Sequence, residues 1–292
     1  MTVWCYGSIN YDHIYEVSHL PAPGETVAAQ AMRRGLGGKG ANQSVAAARA
    51  GAEMRHIGAV GADGEEALAA LAGAGVDCRA VARLDGPSGQ AVIWLDAAGE
   101  NSIVTHAGAN GAIALDAVLA ALDGVGLDDI LLLQNEVPHA RAVAEAALGL
   151  GMEVIYSAAP FDLAVLRDVL PFVGTLVVNE VEAAQLQAAL GVAFEDLPVA
   201  SVVITRGAEG ARWLARGTAT IDVPAFAVDV VDTTGAGDCF TGALAAALDA
   251  GQLPEEAMRF AVAAAALQVT RPGAAAAMPA LEEIAALLGE GG

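Results

Sequence analysis

The residues best suited to chemistry are Asp232-Thr233-Thr234-Gly235-Ala236-Gly237-Asp238, which run straight into the helix-forming stretch CFTGALAAALDAG. Two glycines let a backbone turn tightly and approach a ligand, and a helix start beyond them points unpaired amides at it. That pattern predicts an anion hole. A carboxylate beside it could accept the proton of an attacking hydroxyl while the amides of Gly235, Ala236 and Gly237 balance charge on a moving phosphoryl group. Asp238 is the candidate base; the competing reading is that it only caps its helix. Cys239 has no histidine close in sequence and reads as a packed residue.

A second glycine-rich run, Gly35-Leu36-Gly37-Gly38-Lys39-Gly40-Ala41-Asn42, leads into the helical stretch NQSVAAARAG. It is not a P-loop, which would need glycine where Arg33 stands and serine or threonine at Gly40. Gly35, Gly37 and Gly40 match the dinucleotide pattern GxGxxG, but the preceding ETVAAQAMRR is polar and poor in branched residues, unlike the buried strand such a site requires. A flexible loop offering Gly38, Lys39 and Asn42 to a polyhydroxy ligand suits the residues better. Asn10 and Asp12, after the first strand, offer matching donors and acceptors, or form an ordinary turn.

Asn179 with Glu182 reads as a capping box, and the same helix start could lie near Mg²⁺ and phosphates. Thr205-Arg206-Gly207-Ala208-Glu209-Gly210 follows an apolar run and is either a nucleotide-contacting turn or a plain hairpin before ARWLA.

Short apolar runs such as VWCYG, RHIGAVG, ILLLQ, EVIYS, TLVVN and SVVIT alternate with alanine-rich helical stretches, which predicts a parallel sheet covered by helices. Ligands of open parallel sheets sit beyond the carboxyl ends of the strands. Ser8, Asn10, Gln134, Asn135, Glu136, Ser157, Asn179 and Thr205 stand there. Two stretches break the rhythm: DHIYEV with ETVAAQAMRR, and QAVIWLD joined through AAGE to NSIVTH. They read as paired strands of a small sheet, a lid inserted at about 11–34 and 89–107 in one single domain.

Of 292 residues, 55% are hydrophobic and 17% charged, a globular composition. With 35 acidic against 14 basic side chains the net charge is −21, which argues against nucleic acid and anionic membrane surfaces as partners. A nucleotide would need backbone amides, placed cations and a metal ion to overcome that field locally. Cys5, Cys78 and Cys239 lack metal or disulfide spacing and read as reduced, and no leader or membrane-spanning run is apparent, so a cytoplasmic protein is expected.

Taken together, GSINYDH near the start, PGET at 23–26, GGKGAN at 37–42, GEN at 99–101, HAGAN at 106–110, DTTGAGD at 232–238 and VTRPGA at 269–274 resemble the ribokinase family of carbohydrate kinases, in order and over nearly the whole chain. The resemblance implies an α/β, three-layer fold with a mainly parallel central sheet and a small β-sheet lid. It also implies transfer of the γ-phosphoryl group of ATP to the 5-hydroxyl of D-ribose, with Mg²⁺ and a monovalent cation such as K⁺. By position, Asn10, Asp12, Gly38, Lys39, Asn42 and Glu136 would hold the sugar beside Asp238. Asn179, Glu182, Gly237 and the turn from Thr205 to Gly210, with Arg206, Gly207, Ala208 and Glu209, would serve the nucleotide, and Glu182 would reach Mg²⁺ indirectly. Asp232 with main-chain oxygens of Thr234, Gln268, Arg271 and Gly273 would form the cation site. Pairing of two copies through the lid is implied too. Ala277 stands where a serine is common at the cation site, Ser157-Ala158-Ala159-Pro160 replaces an Asn-Pro-Ala-Pro-like turn, and VGADGEE is shorter than usual. A kinase for another sugar or nucleoside, a nicotinamide dehydrogenase and a non-catalytic sugar-binding protein are the alternatives.

Overall fold

The computed structural model describes residues 1–290. The chain begins with β1 (Val3–Tyr6), β2 (Asn10–Glu16), β3 (Ala31–Gly37) and α1 (Lys39–Arg49), followed by β4 (Met54–Val60), α2 (Glu65–Gly73), β5 (Val76–Arg83), β6 (Gly89–Leu95) and β7 (Asn101–His106). Its middle is α3 (Leu115–Ala121), β8 (Ile130–Leu133), α4 (Ala140–Gly149), β9 (Glu153–Ser157), α5 (Leu163–Val169), β10 (Thr175–Asn179) and α6 (Glu180–Leu190). It closes with β11 (Ser201–Thr205), β12 (Ala211–Ala215), β13 (Ile221–Val223), α7 (Ala236–Asp249), α8 (Pro254–Gln268) and α9 (Leu281–Glu290).

Among the described residues the main sheet has nine strands in the order β13-β12-β11-β10-β9-β8-β1-β4-β5. It is parallel from β5 to β11; β12 pairs antiparallel with β11, and β13 antiparallel with β12. Strands covered on both faces need apolar residues at every position, and the fully buried runs VWCY and ILLL meet that need. Alternation then divides the core. Val3 and Cys5 of β1 pack into one cluster with Phe240, Met258 and other residues of α1, α7 and α8, while Trp4 and Tyr6 pack into the opposite one with Val118, Val143 and Leu186 of α3, α4 and α6. Helices on both faces of one sheet make the expected three layers.

A second sheet, ordered β3-β2-β6-β7, stands apart from the first. The strand pairs β2–β3 and β6–β7 are antiparallel as expected, but β2 and β6 are parallel neighbours, so the small sheet is mixed. Two expectations need correction. Residues 25–30 are not strand, and β3 instead continues through Gly35 to Gly37. The second glycine run is therefore no flexible loop. Gly37 ends a strand because a Cβ there would lie 2.1 Å from Asp12 Oδ2, and Gly38, at φ 89°, makes the single turn into α1. The strand before that turn is exposed and belongs to the small sheet, which removes the structural basis of a dinucleotide site.

Candidate active site

At the carboxyl edge of the main sheet, two helix starts converge. Gly235, whose φ of 81° is left-handed, directly precedes α7, and Asp238 lies in the first turn beyond it. Its carboxylate does not cap the helix. Oδ2 accepts from Asn42 Nδ2 at 2.9 Å and Oδ1 from Gln43 Nε2 at 3.0 Å, both at the start of α1. Gln43 is itself fixed by Gln134, beyond the end of β8, whose Nε2 donates to Gln43 Oε1 at 2.6 Å. Burial pushes the Asp238 carboxyl above its ordinary range, opposed by the Lys39 ammonium and by the two amide donors.

The start of α1 is held from outside. Ala41 N donates to Ser8 O at 2.8 Å, and Lys39 N donates to the Glu136 carboxylate at 3.0 Å, which also accepts from Ser8 Oγ. An anion at a helix start meets the positive end of its dipole. The Lys39 side chain loses hydration on burial, but the carboxylates of Asp238, Glu136 and Glu182 outweigh that and hold its pKa above the ordinary value. Asp12 is pushed up to about 7, first by burial and then by Glu136 and Asp238. Asn10, buried, accepts at Oδ1 from Asn110 Nδ2 at 2.8 Å, and Asn110 also braces Ile9 through N and O. A single patch thus gathers Asn10, Asp12, Gly38, Lys39, Asn42, Glu136 and Asp238. Asn10, Asn42 and Asp238 are buried there, and the others are partly buried.

The predicted nucleotide residues divide. Thr205, Gly207, Ala208 and Gly210 line a cavity of about 540 Å³ with Phe226, Val262 and Gly237, an apolar slot beside the start of α7. Arg206 and Glu209 do not line it: Arg206 Nη2 is 3.0 Å from Asp222 Oδ1, and Glu209 is exposed. This turn is the connection of the β11–β12 hairpin, and four of its residues border the cavity. Asn179 and Glu182 form the capping box, each accepting the other's backbone N–H at 2.8 Å. A larger cavity, about 730 Å³, lies between the small sheet and residues 230–234 and 272–276; Asp12, Arg33 and Asp232 line it, Asp238 does not.

At the predicted cation site, Asp232 accepts from Thr234 N at 2.9 Å and from Gly273 N at 2.8 Å. The Gln268 side chain donates to Thr234 O at 2.7 Å and to Gly273 O at 3.0 Å. The Arg271 guanidinium turns away to Glu283. Sequence reasoning missed Gln43 and Asn110 altogether. Gln43 follows Asn42 at a helix start and Asn110 closes HAGAN, but only the fold shows what each touches.

Residues 2–281 match the model of the pfkB family carbohydrate kinases. The chain belongs to this family. As a pfkB family member it is 35% identical to the ribokinase of Haemophilus influenzae over 297 residues, covering 97% of this chain and 96% of that one. It is 37% identical to the ribokinase of Bacillus subtilis over 289 residues, covering 97% of each. The structure of Arabidopsis thaliana ribokinase complexed with ribose and ATP superposes with a TM-score of 0.88 at 33% identity, covering 98% of both chains. Common ancestry of this breadth accounts for why the motifs fall in register from the first strand to α8.

Proposed function

We propose that this pfkB family kinase transfers the γ-phosphoryl group of ATP to the 5-hydroxyl of D-ribose, giving D-ribose 5-phosphate and ADP. The observation that carries the reading is the Asp238 carboxylate, buried at the start of α7 and aimed by Asn42 and Gln43 beside Lys39. Ribokinase relatives that match nearly the whole chain support ribose as the sugar.

In this reading Asn10, Asp12, Gly38 and Asn42 hold the sugar hydroxyls, with Glu136 fixing Ser8 and the start of α1 behind them. Asp238 takes the proton of the attacking hydroxyl as the oxygen bonds to phosphorus. The amides of Gly235, Ala236 and Gly237 face the charge that gathers on the transferring group, where oriented donors are most effective. Lys39 stabilises Asp238 as an anion before the proton arrives. The apolar slot at Thr205, Gly207, Ala208 and Gly210 takes the base of ATP, which needs stacking area more than charge.

Among the described residues no group of three or more His, Cys, Asp or Glu is placed to hold a metal ion. That suits Mg²⁺, which binds with few protein ligands and keeps its waters and the phosphates. Glu182 and Asn179 would hold it through water, and it would neutralise phosphate charge during transfer.

Pairing of two copies through the small sheet is part of the proposal. Tyr15, Trp94 and Met32 are cross-strand neighbours on one face, with Val92 and Val104 two residues along, and Met32 and Val104 are 53% and 55% exposed. Free cysteines and dependence on ATP support a cytoplasmic setting; among the described residues no helix is long and apolar enough to cross a membrane.

ADP release from Mg-ATP, measured against D-ribose, 2-deoxyribose, fructose and nucleosides, tests the substrate. D-ribose should give the highest kcat/KM, and a nucleoside or fructose exceeding it would replace ribose in this reading.

A further inference from the structure

The family resemblance places a monovalent cation among Asp232 and the main-chain oxygens of Thr234, Gln268, Arg271 and Gly273, and the donors found there do not suit one. Gln268 has no exposed surface, and its Nε2 donates to Thr234 O at 2.7 Å and to Gly273 O at 3.0 Å. A carboxamide nitrogen has two protons, and both are directed at carbonyl oxygens that a cation would need. The main-chain oxygen of Gln268 accepts from Arg271 N at 3.1 Å. Both oxygens of Asp232 already accept backbone N–H groups, from Thr234 and Gly273. Ala277, buried, offers a methyl group with no oxygen.

The Gln268 Nε2 stands within hydrogen-bond range of both carbonyl oxygens, in the space between them that a bridging cation would need. The amide leaves Oε1 buried without a partner. A buried acceptor left unpaired costs about 1–3 kcal/mol, so the two bonds at nitrogen set the side chain.

We infer that the Gln268 carboxamide takes the place of the monovalent cation, so that this enzyme turns over without potassium. The inference rests on the kinase reading for its activity readout. A bound cation would draw the carbonyls of Thr234 and Gly273 together; two N–H donors on a helix do the same with a neutral group already present. Thr234 directly precedes Gly235, so holding its carbonyl against residue 273 fixes the direction of the amides at 235–237. Gln268 is a positioning residue: it touches the loop and not the reacting atoms. Its place at the end of α8, packed along α7, makes the bridge part of the helical scaffold.

Wild type, Q268A and Q268M are to be compared in potassium chloride and in tetramethylammonium chloride at equal ionic strength. One readout is the thermal unfolding midpoint and the other is D-ribose-dependent ADP release. Wild type should show the same rate and midpoint in both salts. Q268A, which frees the two carbonyls and opens space, should be slower and less stable in tetramethylammonium. Potassium should then restore its rate by at least about five-fold, the scale of a modest coupling between sites, and raise its midpoint. Q268M fills the space without donors and should be impaired equally in both salts, which keeps the test decisive if the alanine variant fails to fold. Stimulation or stabilisation of the wild type by potassium would overturn the inference, as would either variant matching the wild type in both salts. If no sugar is turned over, the midpoints still decide the cation question, and the kinase reading fails separately.

Discussion

Asp238 is buried and Asp12 partly so, and their neighbours differ. Burial raises the Asp238 carboxyl, and Lys39 and two amide donors oppose that rise and favour the anion a base requires. D238N keeps the hydrogen-bonding shape and removes the base. It should lower kcat by about 10²- to 10⁴-fold, the usual contribution of a positioned base, with ATP affinity within a few-fold of wild type. Rates near normal in a kinetic assay would dismiss Asp238 from that role. Asp12 has no cation of its own and is pushed up to about 7. A carboxyl with a folded value above its unfolded one stabilises the protein while it keeps its proton, and that stability is lost as the pH climbs from about 4 through about 7. At about 1.4 kcal/mol per pK unit the loss is on the order of a few kcal/mol. D12N, neutral throughout, should therefore unfold at a higher temperature than the wild type at pH 8, with the gap closing toward pH 4. A gap independent of pH would show that Asp12 is not held neutral by its surroundings. The variant should also bind sugar less tightly.

The elements that bring these residues together are α1 and α7, and their approach depends on small side chains. A Cβ at Gly242 would lie 2.4 Å from Gln43 O and 2.7 Å from Ala46 Cβ. G242A should push α1 outward, cost about 1–3 kcal/mol in chemical denaturation, and lower kcat by moving Gln43 off Asp238. Unchanged stability would mean that the helices have slack where none is seen. How much of this was legible in sequence varies by element. The apolar runs and the glycine turn at 235–237 announced the sheet and the start of α7 because period and residue type suffice there. The second glycine run misled, because GxGxxG spacing does not say whether Gly35 and Gly37 bend the chain or only make room for a neighbour such as Asp12. Gln43, Gln134 and Asn110 act across 91 to 195 residues of sequence, and no local pattern encodes such pairings. Gln268 could be placed at the cation site by position, but its side-chain donors could not be aimed without the fold.

For the molecule as a whole, the net charge of −21 makes the few placed cations matter, and Lys39 is the one buried among the carboxylates of the site. The apolar outer face of the small sheet gives a further expectation for the assembly. Wild type should sediment at about twice 29.2 kDa, and V104D should sediment as a single chain. A monomeric wild type would remove the small sheet as a dimer interface and leave the chemistry untouched. The central claim is phosphorylation of a sugar hydroxyl from ATP, and the product itself tests it most directly. Carbon NMR of the product from D-ribose and Mg-ATP should show phosphorus coupling at C5 and its neighbour C4, appearing with wild type and absent with D238N. Coupling at C1 instead, or ADP formed with no phosphorylated sugar, would contradict it.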